Sequence, residues 1–308
     1  MNGSELYGAV SRSIARSAHE AAIEIPQDVR MALDEAVALE RKALENGDPM
    51  ASQAGLGVLE SILENISLAE STRIPMCQDT GMFLVFCDIG TDSGIAPHEI
   101  QEAINDGLKQ AVEEVPYRRS VVLDPLFERT NSGNNLPALY HFSFHDGQDV
   151  RISVLLKGFG SENCSGVRML RPTDGPQEVI AAVTEIMRQA GGKPCPPVFL
   201  GIGLGGTMDI AARLSKEALL RDYGSSHPDS RYAALEHDIL ESVRHLGIGP
   251  GGLGGVVTAL SAALEVAPTH IAGLPLAVSV NCWADRKFFL TIQKTAPSVW
   301  HLEENNHD

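Results

Sequence analysis

The sequence predicts an α/β (mixed α+β) protein. An N-terminal helical layer covers residues 1–70, and a mixed sheet with helices and glycine-rich loops covers 71–300. Three observations predict it. The first 70 residues carry apolar side chains at helical spacing. Beyond them, short apolar runs alternate with amphipathic stretches. Glycine-rich segments then separate those runs. No repeat, low-complexity stretch or Pro/Ser-rich linker divides the 308 residues, so one domain over 1–308 is expected.

In the first helix, Tyr7, Val10, Ile14 and Ala15 recur at helical spacing. Pro26-Gln27-Asp28 is a start signal for the second, with Val29, Met31, Leu33, Ala36 and Leu39 as its apolar positions. A third helix is expected near 50–69, with Leu56, Val58, Leu59, Ile62, Leu63 and Ile66 on one face. The layer serves either as a scaffold or as an oligomer surface. The apolar run at 83–89 predicts a buried strand, and 98–114 a helix. Residues 140–144 and 150–156 predict a hairpin around His145-Asp146-Gly147-Gln148. Further helices are expected at 176–190, 207–221 and 229–246, and strands at 198–203, 274–280 and 287–292. The polar tail, 303–308, is expected to fray.

Hydrophobic residues make up 44% of the chain and aromatics 5%, so the core is aliphatic. Twenty-four Lys and Arg against 40 Asp and Glu give a net charge of −16. That charge excludes nucleic acid and an anionic membrane as partners. It leaves room for a small dianion held by a local arginine cluster. Met1-Asn2-Gly3-Ser4-Glu5 lacks a signal-peptide pattern, and no apolar run spans a bilayer. Five cysteines without such a signal fit a reducing cytoplasm, where thiols act as ligands or core residues.

Three of those cysteines stand at the edges of predicted strands: Cys77 in Cys-Gln-Asp-Thr-Gly, Cys195 in Cys-Pro-Pro and Cys282 in Cys-Trp-Ala-Asp-Arg. Zinc favours close Cys-x-x-Cys pairs, and none exists. Three distant ligands suit an iron–sulfur cluster with one iron free of protein. A free iron is a Lewis acid, which points to chemistry rather than electron carriage. Cys87 lies inside an apolar strand and is expected to be a packing residue. Cys164, in a polar loop, is a possible fourth ligand on position alone.

Asp79 lies two residues beyond Cys77 and is suited to proton transfer beside a metal. Its alternative is to cap the turn, as Asp-x-Gly stretches commonly do. Residues 157–163 (Lys-Gly-Phe-Gly-Ser-Glu-Asn) let backbone amides approach a ligand, with Lys157 adding charge. Residues 201–206 (Gly-Ile-Gly-Leu-Gly-Gly) lack the Gly-x-Gly-x-x-Gly pattern of a dinucleotide loop. Six glycines around Pro250, at 247–255, have no Walker sequence and are expected to form a packing turn. Arg118-Arg119 are either a carboxylate clamp or a solvated face. His270 precedes the strand that leads to Cys282, and is either structural or part of the site.

Together these motifs resemble the class I (iron–sulfur) fumarase and L-tartrate dehydratase family. They are Cys-Gln-Asp-Thr-Gly, Lys-Gly-x-Gly-Ser-Glu-Asn, Cys-Pro-Pro with Gly-Ile-Gly-Leu-Gly-Gly-Thr, and Gly-Ile-Gly-Pro-x-Gly-Leu-Gly-Gly. The match is to the alpha subunit of two-subunit forms. The resemblance implies a [4Fe–4S] cluster on Cys77, Cys195 and Cys282, with one iron lacking a protein ligand. It removes Cys164 from the ligand set. It also implies proton transfer by Asp79, and substrate binding by Gln78, Arg119 or Arg118, Gly160 and His270. The expected activity is reversible dehydration of a 2-hydroxy dicarboxylate, first fumarate/malate, alternatively L-tartrate. The catalytic base is expected on a beta subunit, within a higher oligomer. An iron–sulfur electron carrier and a non-catalytic subunit are the rivals. Phe159 and Val256-Val257 depart from the family pattern, where relatives carry glycine and Lys-Thr. These departures bear on the substrate loop and on contacts to substrate or the beta subunit.

Overall fold

A computed structural model describes Met1 and residues 3–304. Asn2 and residues 305–308, the end of the polar tail among them, lie outside the described residues. The elements in chain order are α1 (Gly3–Ile23), α2 (Gln27–Glu45), α3 (Gln53–Thr72), β1 (Met82–Gly90), α4 (Pro97–Glu114), β2 (Leu139–His145), β3 (Asp149–Lys157), α5 (Phe159–Glu162), β4 (Gly166–Leu170), α6 (Pro176–Ala190), β5 (Val198–Gly205), α7 (Met208–Ala218), α8 (Ser230–Arg244), β6 (Ala259–Ala267), β7 (Leu274–Asn281), β8 (Lys287–Ala296) and β9 (Val299–Glu304). The mixed α/β class is as expected, with helices leading and two mixed sheets following. Among the described residues, no helix is long and apolar enough to cross a membrane.

The chain groups into two compact units, each interrupted in sequence. The first comprises Met1–Gln27, Ile66–Gly158 and Arg286–Asp308. Its sheet runs β2-β1-β3-β8-β9. Along β1 almost every side chain is buried, Phe83, Val85, Cys87 and Ile89 on the face covered by helices. Helices α1 and α4 pack together. Val10, Ile14, Ile100, Ile104 and Leu108 join Phe83, Val85, Val154 and Leu290 in one core.

The expected hairpin of 140–144 with 150–156 does not form. β1 lies between those segments, parallel to β2 and antiparallel to β3. The physical reason is the more apolar run of β1, which takes an interior position beside β3 while partly exposed β2 takes the edge. The backbone N–H groups of Thr91 and Asp92, just past β1, donate to the carbonyls of His145 and Gly147. The connecting turn therefore closes over the end of β1.

The second unit comprises Asp28–Asn65 and Phe159–Asp285. Its sheet runs β4-β7-β5-β6, with only β5 and β6 parallel. Helices α6 and α8 supply Val183, Met187, Ile239 and Val243 to a core with Leu200, Ile202, Leu264 and Val278. Helix α7 packs on β5, β6 and β7. It approaches β5 so closely that a Cβ at Gly201 or Gly203 would lie 2.0 Å from the carbonyl of Ser215 or Ala211. The glycine run at 201–206 thus serves helix–strand packing.

On α2, Met31 and Leu39 are exposed and Glu40 is fully buried, the reverse of the simple apolar pattern. The Glu40 carboxylate accepts the backbone N–H of Ser52 (2.7 Å) and of Val256 (2.8 Å). It anchors both the turn before α3 and the end of the 247–255 glycine loop. Glu40→Gln replaces an acceptor with an amide donor facing one of those N–H groups. The expected cost is about 1–3 kcal/mol, read as a lower denaturation midpoint. An unchanged midpoint would remove Glu40 as the anchor.

Candidate active site

In the first unit, residues 73–81 join α3 to β1 and carry Cys77, Gln78 and Asp79. Gln78 is exposed, Cys77 and Asp79 are half-buried and Thr80 is buried. At Gly81 the backbone has φ 77°, and a Cβ would lie 2.1 Å from the carbonyl oxygen of Lys157. Only glycine lets the loop leave along the end of β3 in this way. On the other side, Arg286 Nη2 donates to the Asp79 carbonyl oxygen at 2.7 Å. Lys157 is buried, with Nζ donating to the Gly158 carbonyl at 3.1 Å. The charge that the sequence places in this loop therefore lies within the fold.

Arg118 and Arg119 are exposed. Their backbone is held by two asparagines from the polar turn that follows. Asn135, fully buried with φ 57°, donates from Nδ2 to the Arg118 carbonyl at 2.9 Å. Its Oδ1 accepts from the N–H of Ser120 at 2.7 Å and of Val121 at 3.3 Å. Asn131 Nδ2 donates to the Arg119 carbonyl at 2.8 Å. A fixed backbone under an exposed guanidinium suits carboxylate recognition, because only the side chain has to be ordered when an anion docks.

In the second unit, Cys195 is exposed and sits at φ 55°, a strained conformation for a side chain with a Cβ. Its N–H donates to Gly192 O (3.3 Å), and the next carbonyl, of Pro196, accepts from Gly251 N (2.8 Å). A Cβ at Gly192 would lie 3.0 Å from Gly252 Cα. The 247–255 loop is therefore the backing of the Cys195 turn. This extends the packing role expected for it, and Glu40 fixes its far end.

Cys282 follows β7, half-buried, with its thiol 4.0 Å from the Ala284 carbonyl. Asn281 Nδ2 to Asp285 Oδ1 (2.6 Å) closes the turn around it. Cys164 is half-buried at the edge of this unit's core, and its thiol donates to Gly160 O at 3.5 Å. Gly160 is exposed, and a Cβ there would meet nothing closer than Lys193 O at 4.0 Å. His270 lies in an exposed turn, where Nδ1 accepts from Ala272 N at 3.1 Å. Phe159 opens α5 and is exposed. Val256 gives its N–H to Glu40.

Cys87, in contrast, is sealed in β1, and burial pushes its thiol up to about 12. All five cysteines are free of disulfides. Among the described residues, no three His, Cys, Asp or Glu side chains are gathered as ligands of a single metal ion. A four-iron cluster makes a different demand, since each thiolate meets its own iron. Three thiols outside disulfides, on loops and none sealed in a core, fit that donor set, whereas Cys87 does not.

Arg286, Asn135 and Glu40 carry structural weight that sequence reasoning missed. The only signal for Arg286 was its place at the end of Cys-Trp-Ala-Asp-Arg.

A family model described as "Fumarate hydratase (Fumerase)" matches residues 11–291. A Methanocaldococcus jannaschii protein provisionally named L(+)-tartrate dehydratase subunit alpha is 42% identical over 293 residues, 93% of this chain and 99% of that one. The Escherichia coli K12 L(+)-tartrate dehydratase subunit alpha is 30% identical over 249 residues, 80% of this chain and 81% of that one. The corresponding subunit of E. coli O157:H7 is 31% identical over the same shares.

Proposed function

Because this chain belongs to the fumarate hydratase (Fumerase) family, whose members are hydro-lyases, we propose that it is the alpha subunit of a two-subunit [4Fe–4S] hydro-lyase acting on a 2-hydroxy dicarboxylate. The observation that carries this reading is the 77–81 loop. It puts a free thiol and a carboxylate two residues apart on a backbone fixed from both sides. Cys77, Cys195 and Cys282 hold the cluster, which when bound supplies Lewis acidity at an iron without a protein ligand.

The remaining work belongs to this chain's side chains and to its partner. Arg119 or Arg118, with Gln78, His270 and the Gly160 backbone, hold the two carboxylates and fix which face reacts. Asp79 moves a proton at the departing hydroxyl oxygen, so that water rather than hydroxide leaves. The proton on the neighbouring carbon is taken by a base on the beta subunit. The relatives' names favour L-tartrate, giving oxaloacetate, as the first substrate; malate and fumarate form the second pair.

The test is anaerobic assembly of this chain with a beta subunit, assayed on L-tartrate, malate and fumarate. Loss or addition of water with one pair, and none with the chain alone, is the expected result. Full activity from the isolated chain would overturn the two-subunit reading. An iron-loaded complex inert on all three, with no spectral change on adding them, would favour an electron carrier or non-catalytic subunit.

A further inference from the structure

Arg286 begins the last segment of the first unit and is 1% exposed. A guanidinium does not lose its proton in a protein, so its burial must be offset by hydrogen bonds or charge. Nη2 donates to the Asp79 carbonyl at 2.7 Å. Nε and Nη1 are buried and have no partner among the described residues. Burial raises the nearby Tyr117 phenol, and the Arg286 charge pulls it partly back. The Tyr117 hydroxyl itself is turned away, donating to Ala18 O at 2.5 Å. The guanidinium thus spends its one hydrogen bond among the described residues on the backbone of the Cys77–Asp79 loop.

The Gly158 backbone completes the arrangement. A Cβ on Gly158 would lie 3.2 Å from Asp79 Oδ2 and 3.7 Å from Arg286 Nη2. The Asp79 carboxylate and the guanidinium therefore flank one spot that glycine leaves clear. Along the chain, Arg286 is also four residues beyond Cys282.

We propose that Arg286 is the positioning residue of the site: it straps the 77–81 loop to the start of β8 and so sets where the Asp79 carboxylate stands. The proposal rests on the hydro-lyase function above and deepens it. Arg286 touches no reacting atom in this scheme; it acts through Asp79.

The experiment compares Arg286→Met, Arg286→Lys and Gly158→Ala in the anaerobic, iron-loaded two-subunit complex. The substrate is the one on which wild type is active. Arg286→Met should lower kcat by about 100-fold, the scale of a small misplacement of a catalytic group, with little change in KM. Arg286→Lys keeps the charge and one donor, and should recover part of the loss. Gly158→Ala keeps the guanidinium but crowds Asp79, and should also lower kcat. A rise in KM at constant kcat would make Arg286 a substrate clamp and overturn the proposal. Wild-type kinetics with only a lower midpoint of unfolding would make it a structural residue. If Arg286→Met does not fold, wild-type kcat in Gly158→Ala overturns the proposal.

A second readout needs no activity. In the full apo chain, alkylation of Cys77 relative to Cys195 should accelerate in Arg286→Lys, because the strap is weakened in the first unit alone. An unchanged ratio in a folded variant would sink the strap. If wild type proves inert on every substrate, the hydro-lyase reading fails, and the alkylation ratio still decides the strap.

Discussion

Serine at Cys77, Cys195 or Cys282 leaves the chain folded but strips its iron, whereas serine at Cys164 leaves the iron in place. The difference is one of ligand chemistry. A thiolate is a soft donor available near neutral pH, and a serine hydroxyl is a hard donor that stays protonated. Fold is spared because none of the three is a fully buried core side chain. Cys195→Ser should be the cleanest case, since that residue is exposed and its turn is held by backbone bonds to Gly192 and Gly251. Cys164 already has a local role, bonding Gly160 O beside the core of its unit. Iron and acid-labile sulfide per chain, after anaerobic reconstitution, check the series. Full retention in Cys195→Ser would break the three-thiol set. Iron loss in Cys164→Ser would restore the four-cysteine electron carrier.

The separation of Cys87 from the other thiols was legible in the sequence, because an unbroken apolar run leaves no route for a ligand to reach it. The helices were legible for a related reason: their apolar spacing is local. What the sequence hid was non-local. Nothing in 140–156 says that β1 will part the two segments, since that depends on competition for the place beside β3. β6 was missed because its four alanines carry no strand preference. β9 was missed because Glu303 and Glu304 look like tail, yet they pair with Thr291 and Leu290.

Around the candidate site, the motifs stand out in the sequence and their supports do not. Asn135 and Glu40 are polar residues in polar-looking segments, and only the fold reveals that each is buried and bonded to distant backbone. The glycine run at 201–206 shows the converse. It only superficially resembles a dinucleotide loop, and at Gly201 and Gly203 α7 occupies the space that a side chain would need.

Asp79→Asn should lower kcat by about 10²–10⁴-fold, the usual contribution of a positioned proton-transfer group, while KM stays near wild type. The substitution is chosen because it divides the two roles open to this residue. Asparagine caps a turn as well as aspartate does, so a purely capping Asp79 predicts nearly normal turnover. It also preserves the strap, because Arg286 bonds the Asp79 backbone carbonyl rather than its carboxylate. Asp79→Asn therefore removes the chemistry and keeps the position, while Arg286→Met does the reverse. If the two act as one unit, the double variant should be little slower than Asp79→Asn alone, since a strap has nothing to position once the carboxylate is gone. Steady-state kinetics on the iron-loaded complex measure all four forms. Losses that simply multiply would show that Arg286 works independently of Asp79, and near-normal kcat in Asp79→Asn would move the proton transfer to another residue.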